Sequence, residues 1–81
     1  MIEVRYEQEK NRSAAYDGEK LVGECDYEPG EAGWTIFHTE TDPAYGGQGI
    51  ARRLVMSVAG RAAEAGVKLS STCSYAAKVL G

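Results

Sequence analysis

The chain has 81 residues, with 43% hydrophobic residues, 26% charged residues and a formal net charge of −3. This length predicts one domain, residues 1–81, with a thin core and no room for a separate substrate domain. The sequence contains no run of about 18 apolar residues and no signal peptide pattern at its N-terminus, so we expect a cytoplasmic protein without a membrane partner. Its nine basic residues are scattered, which argues against a nucleic-acid partner.

Charge is divided unevenly along the chain. Residues 1–42 carry eleven acidic and four basic side chains, whereas residues 43–81 carry one acidic and five basic side chains. The basic half would favour an anionic ligand and the acidic half a cationic one, unless both are simply solvated surfaces. The two cysteines, Cys25 and Cys73, are predicted to be reduced thiols. With the single histidine they form a poor ligand set, so no metal is expected.

Four segments in the first half are predicted strands joined by short connections. Each alternates apolar and polar residues or is rich in strand-forming residues. The segments are Ile2–Glu7, Ser13–Tyr16, Leu21–Tyr27 and Trp34–Glu40. Asp17-Gly18 is a tight-hairpin signal, and residues 28–33 are predicted to form a loop. Four successive strands of this kind predict an antiparallel meander.

Alternation also predicts which side chains share a face of the third and fourth strands. One face of the third strand carries Leu21, Gly23, Cys25 and Tyr27. One face of the fourth strand carries Trp34, Ile36, His38 and Glu40, and its other face carries Thr35, Phe37 and Thr39. We therefore interpret Cys25, in the middle of a strand among core-facing residues, as structural.

A long amphipathic helix is predicted over residues 48–65. Its apolar stripe consists of Ile50, Leu54, Val58 and Ala62. Gly66 is a typical C-terminal cap, Val67–Ser71 is a predicted fifth strand, and Tyr75–Leu80 is a predicted short helix. A strand that follows another through a helix can lie parallel to it by a right-handed crossover. The predicted fold class is therefore α/β (α+β), with a mixed sheet whose fifth strand is parallel to the fourth.

A glycine-rich loop stands between the fourth strand and the long helix. Gly46, Gly47 and Gly49 fall within four residues, just before a helix N-terminus whose N–H groups lack helical partners. This arrangement is typical of a phosphate site. A triphosphate-binding loop would need Lys-Ser/Thr where Ile50-Ala51 stands, and a dinucleotide fold would place its glycines after the first strand of a parallel sheet. Both of these ligands are therefore disfavoured.

The loop resembles the acetyl-CoA signature of the GCN5-related N-acetyltransferase family. That signature reads Gln/Arg-x-x-Gly-x-Gly/Ala, and this chain has Gly46-Gly47-Gln48-Gly49-Ile50-Ala51. The end of the motif matches, whereas Gly46 stands where the family has glutamine or arginine, so we expect one side-chain contact to be missing. The chain also resembles a very short stand-alone subgroup of this family, through the segments Phe37-His38-Thr39-Glu40, Gly47-Gln48-Gly49-Ile50-Ala51 and Cys73-Ser74-Tyr75.

The resemblance implies a minimal fold of that family that binds acetyl-CoA. The fourth and fifth strands would splay apart, and the pantetheine arm would pair with backbone groups of residues 38–40. The N–H groups of residues 47–52 would hold the pyrophosphate, aided by Arg52 and Arg53. These two arginines could equally belong to a solvated face of the helix. The predicted cofactor-binding residues are His38, Thr39, Glu40, Gly46, Gly47, Gln48, Gly49, Ile50, Ala51, Arg52 and Arg53.

Four residues are candidates for the chemistry of acetyl transfer, which needs a base for the amine and a proton for the leaving thiolate. His38 or Glu40 could accept the proton of the amine. Cys73, near the start of the last helix, could form an acetyl-cysteine intermediate or only line the acetyl pocket. The resemblance suggests Tyr75 as the proton donor. Each of the four also has a purely structural interpretation. His38 could be a hydrogen-bonded sheet histidine and Glu40 an exposed carboxylate. Cys73 could be an inert buried thiol, and Tyr75 could only pack against its neighbours.

The sequence therefore predicts an acetyl-CoA-dependent N-acetyltransferase that acts on a primary amine of a small molecule or peptide. One alternative is a module that binds CoA or acetyl-CoA without catalysis. Another is a structural or partner-binding α/β domain whose glycine loop has no ligand. The thin core and exposed sheet edges predict a monomer or a weak homodimer.

Overall fold

The computed structural model describes all 81 residues of the chain. Its five strands are β1 (Ile2–Glu7), β2 (Arg12–Asp17), β3 (Lys20–Gly30), β4 (Gly33–Thr41) and β5 (Leu69–Ser71). Its two helices are α1 (Ile50–Ala65) and α2 (Ser74–Leu80). Short 3-10 turns occupy Gln8–Lys10 and Pro43–Tyr45. Neither α1 nor α2 has the length and apolar composition needed to span a bilayer.

The strands form one five-stranded sheet in the order β1-β2-β3-β4-β5. The first four pair antiparallel with their neighbours, and β5 pairs parallel with β4. The parallel pair is possible because α1 carries the chain back across the sheet between the two strands. The predicted mixed α/β fold, with a four-strand meander followed by a crossover, is confirmed.

The hairpin of β3 and β4 is longer than the sequence predicted. Pairing continues as far as Gly30 opposite Gly33, so most of residues 28–33 belongs to strands and the turn is only residues 31–32. Gly33 has a φ of +141°, and a Cβ there would lie 2.4 Å from the Lys68 carbonyl oxygen. Only glycine fits this position, because its missing Cβ lets β4 approach the segment before β5.

A β-bulge in β3 changes which of its first residues face the core. Ala15 pairs with Gly23 but Tyr16 pairs with Leu21, so Val22 is an extra residue without a partner on β2. Val22 is 2% exposed and enters the core, whereas Leu21 is 40% exposed. The predicted core position of Leu21 is therefore wrong, because a bulge interrupts the alternation on which the prediction depended.

One hydrophobic core lies between the sheet and the two helices. Its members are Ala15, Val22, Cys25, Tyr27, Ile36, Ile50, Leu54, Val55, Val58 and Ala76. The apolar stripe predicted for α1 is confirmed, since all four of its residues are buried. The buried Ser13 hydroxyl donates to Ser57 Oγ at 2.8 Å, which satisfies this polar group inside the core.

Two glycines fix the ends of α1. Gly49 precedes Ile50 with a left-handed φ of 72°, and Gly66 follows the helix with a φ of 70°. The Gly66 N–H donates to the Ala63 carbonyl oxygen at 3.1 Å, so the predicted C-terminal cap is confirmed. The helix begins two residues later than predicted because the left-handed conformation of Gly49 cannot continue a right-handed helix.

Candidate functional site

A second β-bulge, at Phe37 in β4, decides which side chains face the candidate site. Tyr27 pairs with Ile36 and Asp26 pairs with His38, so Phe37 is an extra residue. Ile36 is fully buried beneath the helices, whereas the His38 side chain is 45% exposed on the opposite side of the sheet. The prediction that Ile36 and His38 share a face is therefore wrong. We call the side of the sheet away from α1 the open face.

Beyond the bulge, Thr39 is the residue that turns toward the core. It lies opposite Cys25, and its hydroxyl donates to Cys25 Sγ at 3.7 Å. His38 and Glu40 both lie on the open face, where His38 Nε2 and Glu40 Oε1 are 3.2 Å apart. The predicted alternation of β4 thus fails for its second half, because one extra residue exchanges the two faces.

β4 and β5 separate beyond Ile36. Their parallel pairing covers only Trp34–Ile36 and Leu69–Ser71, and the Thr72 N–H then donates to the Ile36 carbonyl oxygen at 2.9 Å. β4 continues to Thr41, so its backbone from residue 37 onward has no strand partner on this side. A free strand edge of this kind can pair with an extended ligand, as the resemblance predicted for the pantetheine arm.

The glycine loop ends at an N-terminus of α1 that has free hydrogen-bond donors. Gly47 and Gly49 adopt φ values of 78° and 72°, and a Cβ at either position would meet no atom within 4 Å. The first helical hydrogen bond runs from the Arg53 N–H to the Gly49 carbonyl oxygen, so the N–H groups of residues 50–52 have no acceptor in the chain. These free donors and the helix dipole favour an anion at this position.

The other residues predicted to hold the phosphate differ in whether they can offer a side chain or only a backbone group to a ligand. Gly46 is extended, with a φ of −61°, and contributes no side chain. The Ile50 side chain is buried in the core, so this residue presents only its backbone N–H. Arg52 and Arg53 are exposed and form no salt bridge within the chain, which leaves both guanidinium groups available to an anion.

A cavity of about 200 Å³ lies between the glycine loop and α2. Gly47, Ile50, Thr41 and Tyr75 are among its lining residues, so Tyr75 is brought next to the glycine loop. Thr41 Oγ1 is buried and has no hydrogen-bond partner. A buried hydroxyl without a partner is costly unless a ligand or water satisfies it. The free strand edge, the free N–H groups and this hydroxyl fit a ligand with amide and phosphate groups, and acetyl-CoA has both.

Thr41 is a candidate site residue that the sequence reasoning missed. It pairs with Gly23 in β3. A Cβ at Gly23 would lie 3.0 Å from the Glu40 carbonyl oxygen and 3.1 Å from Leu54 Cδ1. Because a glycine inside a strand often marks a close approach of other groups, Gly23 was the signal that could have pointed to this part of β4.

The turn between β2 and β3 holds the glycine loop in place. The Tyr45 hydroxyl donates to Asp17 Oδ2 at 2.6 Å. Asp42 Oδ1 accepts a hydrogen bond from the Ala44 N–H at 2.9 Å, and its other oxygen lies 3.6 Å from Lys20 Nζ. Lys20 Nζ also lies 5.5 Å from the centre of the Tyr45 ring. The contacts of Tyr45 and Asp42 with Asp17 and Lys20 join residues far apart in sequence, which is why no local pattern predicted them.

Cys73 lies at the junction of β5 and α2. Its N–H donates to Ser71 Oγ at 3.0 Å, and the Ser71 hydroxyl donates to the Cys73 carbonyl oxygen at 2.8 Å. The Ala76 N–H, with smaller contributions from Thr39 and the Tyr75 N–H, favours the charged form of the Cys73 sulfur and holds its pKa below the usual value for a thiol. The pKa of Cys73 is thus shifted in the direction expected for a thiol near a helix N-terminus.

The open face brings carboxylates next to His38. Ligand atoms of Glu24, Asp26 and His38 all lie within 4.8 Å of one another, a combination of metal-ligand types that the sequence analysis did not predict. Burial, followed by the adjacent Glu24 carboxyl, raises the pKa of Asp26 to about 7. The predicted catalytic residues thus form two groups on different sides of β4, since His38 and Glu40 lie on the open face and Cys73 packs against the core.

The Asp26→Asn substitution is expected to stabilise the protein at pH 8 by about 1 kcal/mol, a value that allows for solvent screening. When folding raises the pKa of a carboxyl group, the folded protein becomes less stable as the pH increases and the group ionises. The loss begins near its unfolded pKa of about 3.9 and is complete above its folded pKa of about 7. Asparagine stays neutral throughout, so the gain should be large at pH 8 and small at pH 4 in urea unfolding.

The Glu28→Gln substitution is the matched control, because it removes an exposed carboxylate from the same strand. We expect its effect on the free energy of unfolding to be within about 0.5 kcal/mol at both pH values. If the Asp26→Asn variant gained the same stability at pH 4 as at pH 8, the effect would not come from the Asp26 proton.

Comparison with known proteins shows the family of the chain. A family model described as GCN5-related N-acetyl-transferase matches residues 5–81. No curated protein sequence matches the chain. Among solved structures, a GCN5-like protein from Staphylococcus aureus, determined by NMR, is 28% identical with a TM-score of 0.73. The match covers 96% of this chain and 76% of the S. aureus chain.

Two further solved structures are similar over about three quarters of the chain. A GCN5-related N-acetyltransferase from Sphaerobacter thermophilus is 22% identical with a TM-score of 0.68, and the match covers 74% of this chain and 20% of that one. A protein from Bacillus halodurans described as a transcriptional regulator is 34% identical with a TM-score of 0.61, and the match covers 76% of this chain and 47% of that one. Since the family model matches all but the first four residues, the chain belongs to the GCN5-related N-acetyltransferase family.

Proposed function

We propose that the protein transfers an acetyl group from acetyl-CoA to a primary amine of a small molecule or peptide. The observation that carries this proposal is the gap that opens where β4 and β5 separate beyond Ile36, which we call the fork. It lies next to the free N–H groups at the start of α1. A free strand edge suits the amides of a pantetheine arm, and a helix N-terminus suits the pyrophosphate at its end. Membership of the acetyltransferase family supports the same ligand.

The chain offers groups that could bind the pantetheine arm and the pyrophosphate of this ligand. Backbone groups of residues 38–40 would pair with the pantetheine amides, and the Thr41 hydroxyl is a further polar group at the loop end of this edge. The N–H groups of residues 47–52 would hold the pyrophosphate, with Arg52 and Arg53 exposed nearby. When bound, acetyl-CoA supplies a thioester carbonyl that a neutral amine can attack.

Proton transfer would be carried out by the two groups of side chains described above. His38 and Glu40, 3.2 Å apart on the open face, could accept the proton of the amine directly or through water. Tyr75, next to the glycine-loop cavity, could donate a proton to the leaving thiolate. Cys73 would either attack the carbonyl or line its pocket.

The charge of the open face supports an amine acceptor. Glu24, Asp26 and Glu40 lie on this face close to His38. An amine is a cation in neutral water, so a carboxylate-lined surface raises its local concentration before it loses its proton. In this proposal, acidic residues from the first half of the sequence form the surface that binds the acceptor amine.

The second candidate function is binding of CoA or acetyl-CoA without catalysis. It is favoured by the arrangement of the helices, because α1 and α2 both pack into the same core. The open face is left without a covering helix, so little protein surface surrounds an acceptor. A binding module needs only the fork and the glycine loop, which do not depend on that face.

Calorimetric titration with acetyl-CoA and with CoA tests the binding part of the proposal. We expect both to bind with Kd values in the micromolar range. Absence of binding of either compound at millimolar concentration would refute both the enzyme and the binding module, and would leave a structural or partner-binding domain.

An acetylation assay over a library of primary amines separates an enzyme from a binding module. For an accepted amine, the Glu40→Gln substitution is expected to lower kcat/KM by about 100-fold while acetyl-CoA affinity stays unchanged, because a general base acts in the transition state. Glu28→Gln, an exposed carboxylate of β3, is the matched control and should retain full activity. Binding without acetylation of any amine would favour the binding module.

A further inference from the structure

β1 is a six-residue strand at the edge of the sheet, and its outer side is free along its whole length. The sheet order places β1 at one edge and the three-residue β5 at the other. β1 pairs only with β2, and no loop or side chain hydrogen-bonds to its backbone. In an antiparallel ladder, alternate residues of an edge strand direct their N–H and C=O groups away from the neighbouring strand. These groups of β1 are therefore open to a further strand.

The edge of β1 lacks the features that usually prevent strand pairing. Natural proteins protect an exposed edge with proline, lysine or a bulge, or by keeping the edge strand very short. β1 contains no proline, glycine or lysine, and its register with β2 runs without a shift from Ile2 to Glu7. The two interior antiparallel pairs, β2 with β3 and β3 with β4, each contain a bulge. β1 is thus the regular template of this sheet.

The two faces of β1 set different requirements for a pairing strand. Ile2, Val4 and Tyr6 lie on the helix side, where they pack against the core and remain partly exposed. Glu3 and Arg5 are exposed on the open face, where Arg5 Nη2 donates to Glu3 Oε1 at 3.0 Å. A second strand must therefore offer apolar side chains on the helix side and opposite charges on the open face.

A second copy of β1 meets both requirements. An antiparallel pair of two copies centred on Val4 places Glu3 directly opposite Arg5 of the second copy, and Arg5 opposite its Glu3. The same register places Ile2 opposite Tyr6 of the second copy on the helix side. A guanidinium group has five N–H donors, so Arg5 can keep its bond to Glu3 of its own strand and bind a second carboxylate.

The charges on the open face also select this register over its neighbours. Registers that keep the helices of both copies on the same side of the joined sheet differ by shifts of two residues. A pair centred on Arg5 would place Arg5 opposite Arg5 and Glu3 opposite Glu7, and a pair centred on Glu3 would place Glu3 opposite Glu3. Like charges directly opposite each other destabilise strand pairing, so the register centred on Val4 is favoured.

We propose that the protein forms a two-fold symmetric dimer in which the β1 strands of two copies pair antiparallel around Val4 and join the two sheets into one. The interface is isologous, because both copies contribute the same surface. It is also small, so we expect a Kd in the high micromolar range. The fork lies between β4 and β5 at the other side of the sheet, so this dimer does not depend on the proposed function.

Sedimentation equilibrium of the full chain, from about 10 μM to about 1 mM, tests the proposal. We expect the average mass to rise from that of one chain toward that of two. Arg5→Glu and Glu3→Arg each convert both opposite-charge pairs into like-charge pairs, so each should raise the Kd at least tenfold. Glu31→Arg is the matched control, because it makes the same charge change as Glu3→Arg at an exposed position in the turn between β3 and β4. It should retain the Kd of the wild type.

A mixture of the two single variants tests the register. Arg5→Glu leaves two acidic residues on this part of β1 and Glu3→Arg leaves two basic ones, so every charged pair between the two variants joins opposite signs. We expect them to form a mixed dimer at least as tight as that of the wild type, although each alone associates weakly. The double variant Glu3→Arg/Arg5→Glu exchanges the two charges and should regain the wild-type Kd.

Amide hydrogen exchange of the wild type keeps the proposal testable if a variant does not fold, as judged by circular dichroism. Exchange in residues 2–7 should slow as the protein concentration rises, because pairing protects the outward N–H groups of β1. Three results would overturn the proposal. They are a single-chain mass up to 1 mM, a dimer with the same Kd in the wild type and both single variants, and exchange in β1 that does not change with concentration.

Discussion

Replacing Gly49 with alanine is expected to weaken the binding of acetyl-CoA by at least tenfold. Gly49 has a φ of 72°, and a Cβ there would project into space that no protein atom occupies within 4 Å, where the phosphate is proposed to approach. An alanine would also strain the backbone that orients the N–H groups of residues 50–52. Tenfold in Kd corresponds to about 1.4 kcal/mol, a modest part of an anion site built from several donors. Calorimetric titration measures it.

Gly66→Ala is the matched control for this experiment. Gly66 has almost the same φ, 70°, and equally open surroundings, but it caps the opposite end of the same helix. Both variants should lose about 1 kcal/mol of stability, because alanine is strained at positive φ. Only the Gly49 variant should lose affinity. Equal losses of affinity in the two variants would mean that helix stability, and not the loop, controls binding.

Leu54→Ala is expected to lower the free energy of unfolding by about 3 kcal/mol, the largest effect on stability that we predict. Leu54 is fully buried, and its Cδ1 lies close to Gly23, where a strand glycine lets α1 approach the sheet. Truncation leaves a cavity in a core that is thin for its surface. A loss of this size is a large fraction of the stability of a small domain, and the urea midpoint should fall accordingly.

Met56→Ala is the control on the same helix. Met56 is 49% exposed, so its truncation creates no cavity and should change the free energy of unfolding by less than about 0.5 kcal/mol. Since alanine is a better helix former than either residue, a similar loss in both variants would contradict the assignment of the Leu54 effect to its packing against the sheet.

The order of the strands and helices was predicted correctly from the sequence. The predicted alternation of side chains failed where a single extra residue interrupts a strand. The stripe on α1 and the cap at Gly66 follow from spacing and from glycine chemistry, both of which are local. The extra residues Val22 and Phe37 are also local, but nothing in their residue types distinguishes a bulged position from an ordinary one. The assignments of Leu21 to the core-facing side of β3, and of His38 to the same face of β4 as Ile36, were wrong for this reason.

Prediction of the candidate site followed the same division. The glycine loop was recognisable because positive φ and free first-turn N–H groups belong to one short segment. The contact of the Thr39 hydroxyl with Cys25, and the unpartnered hydroxyl of Thr41, depend on how distant segments are packed. A pattern in one segment cannot reveal such contacts, although Gly23 marked the place where the backbone needs space.

Tyr45 and Lys20 tie the glycine loop to the β2–β3 turn before any ligand arrives. Ordering one residue costs about 1–2 kcal/mol of conformational entropy, and in this loop the cost is met during folding and not during binding. A ligand therefore encounters a preorganised loop and loses little affinity to its ordering. The contacts between the loop and the turn also transmit the effect of a bound ligand to the turn. A ligand held at the loop stabilises the distant hairpin by mass action, so amide hydrogen exchange near Asp17 should slow when acetyl-CoA is bound.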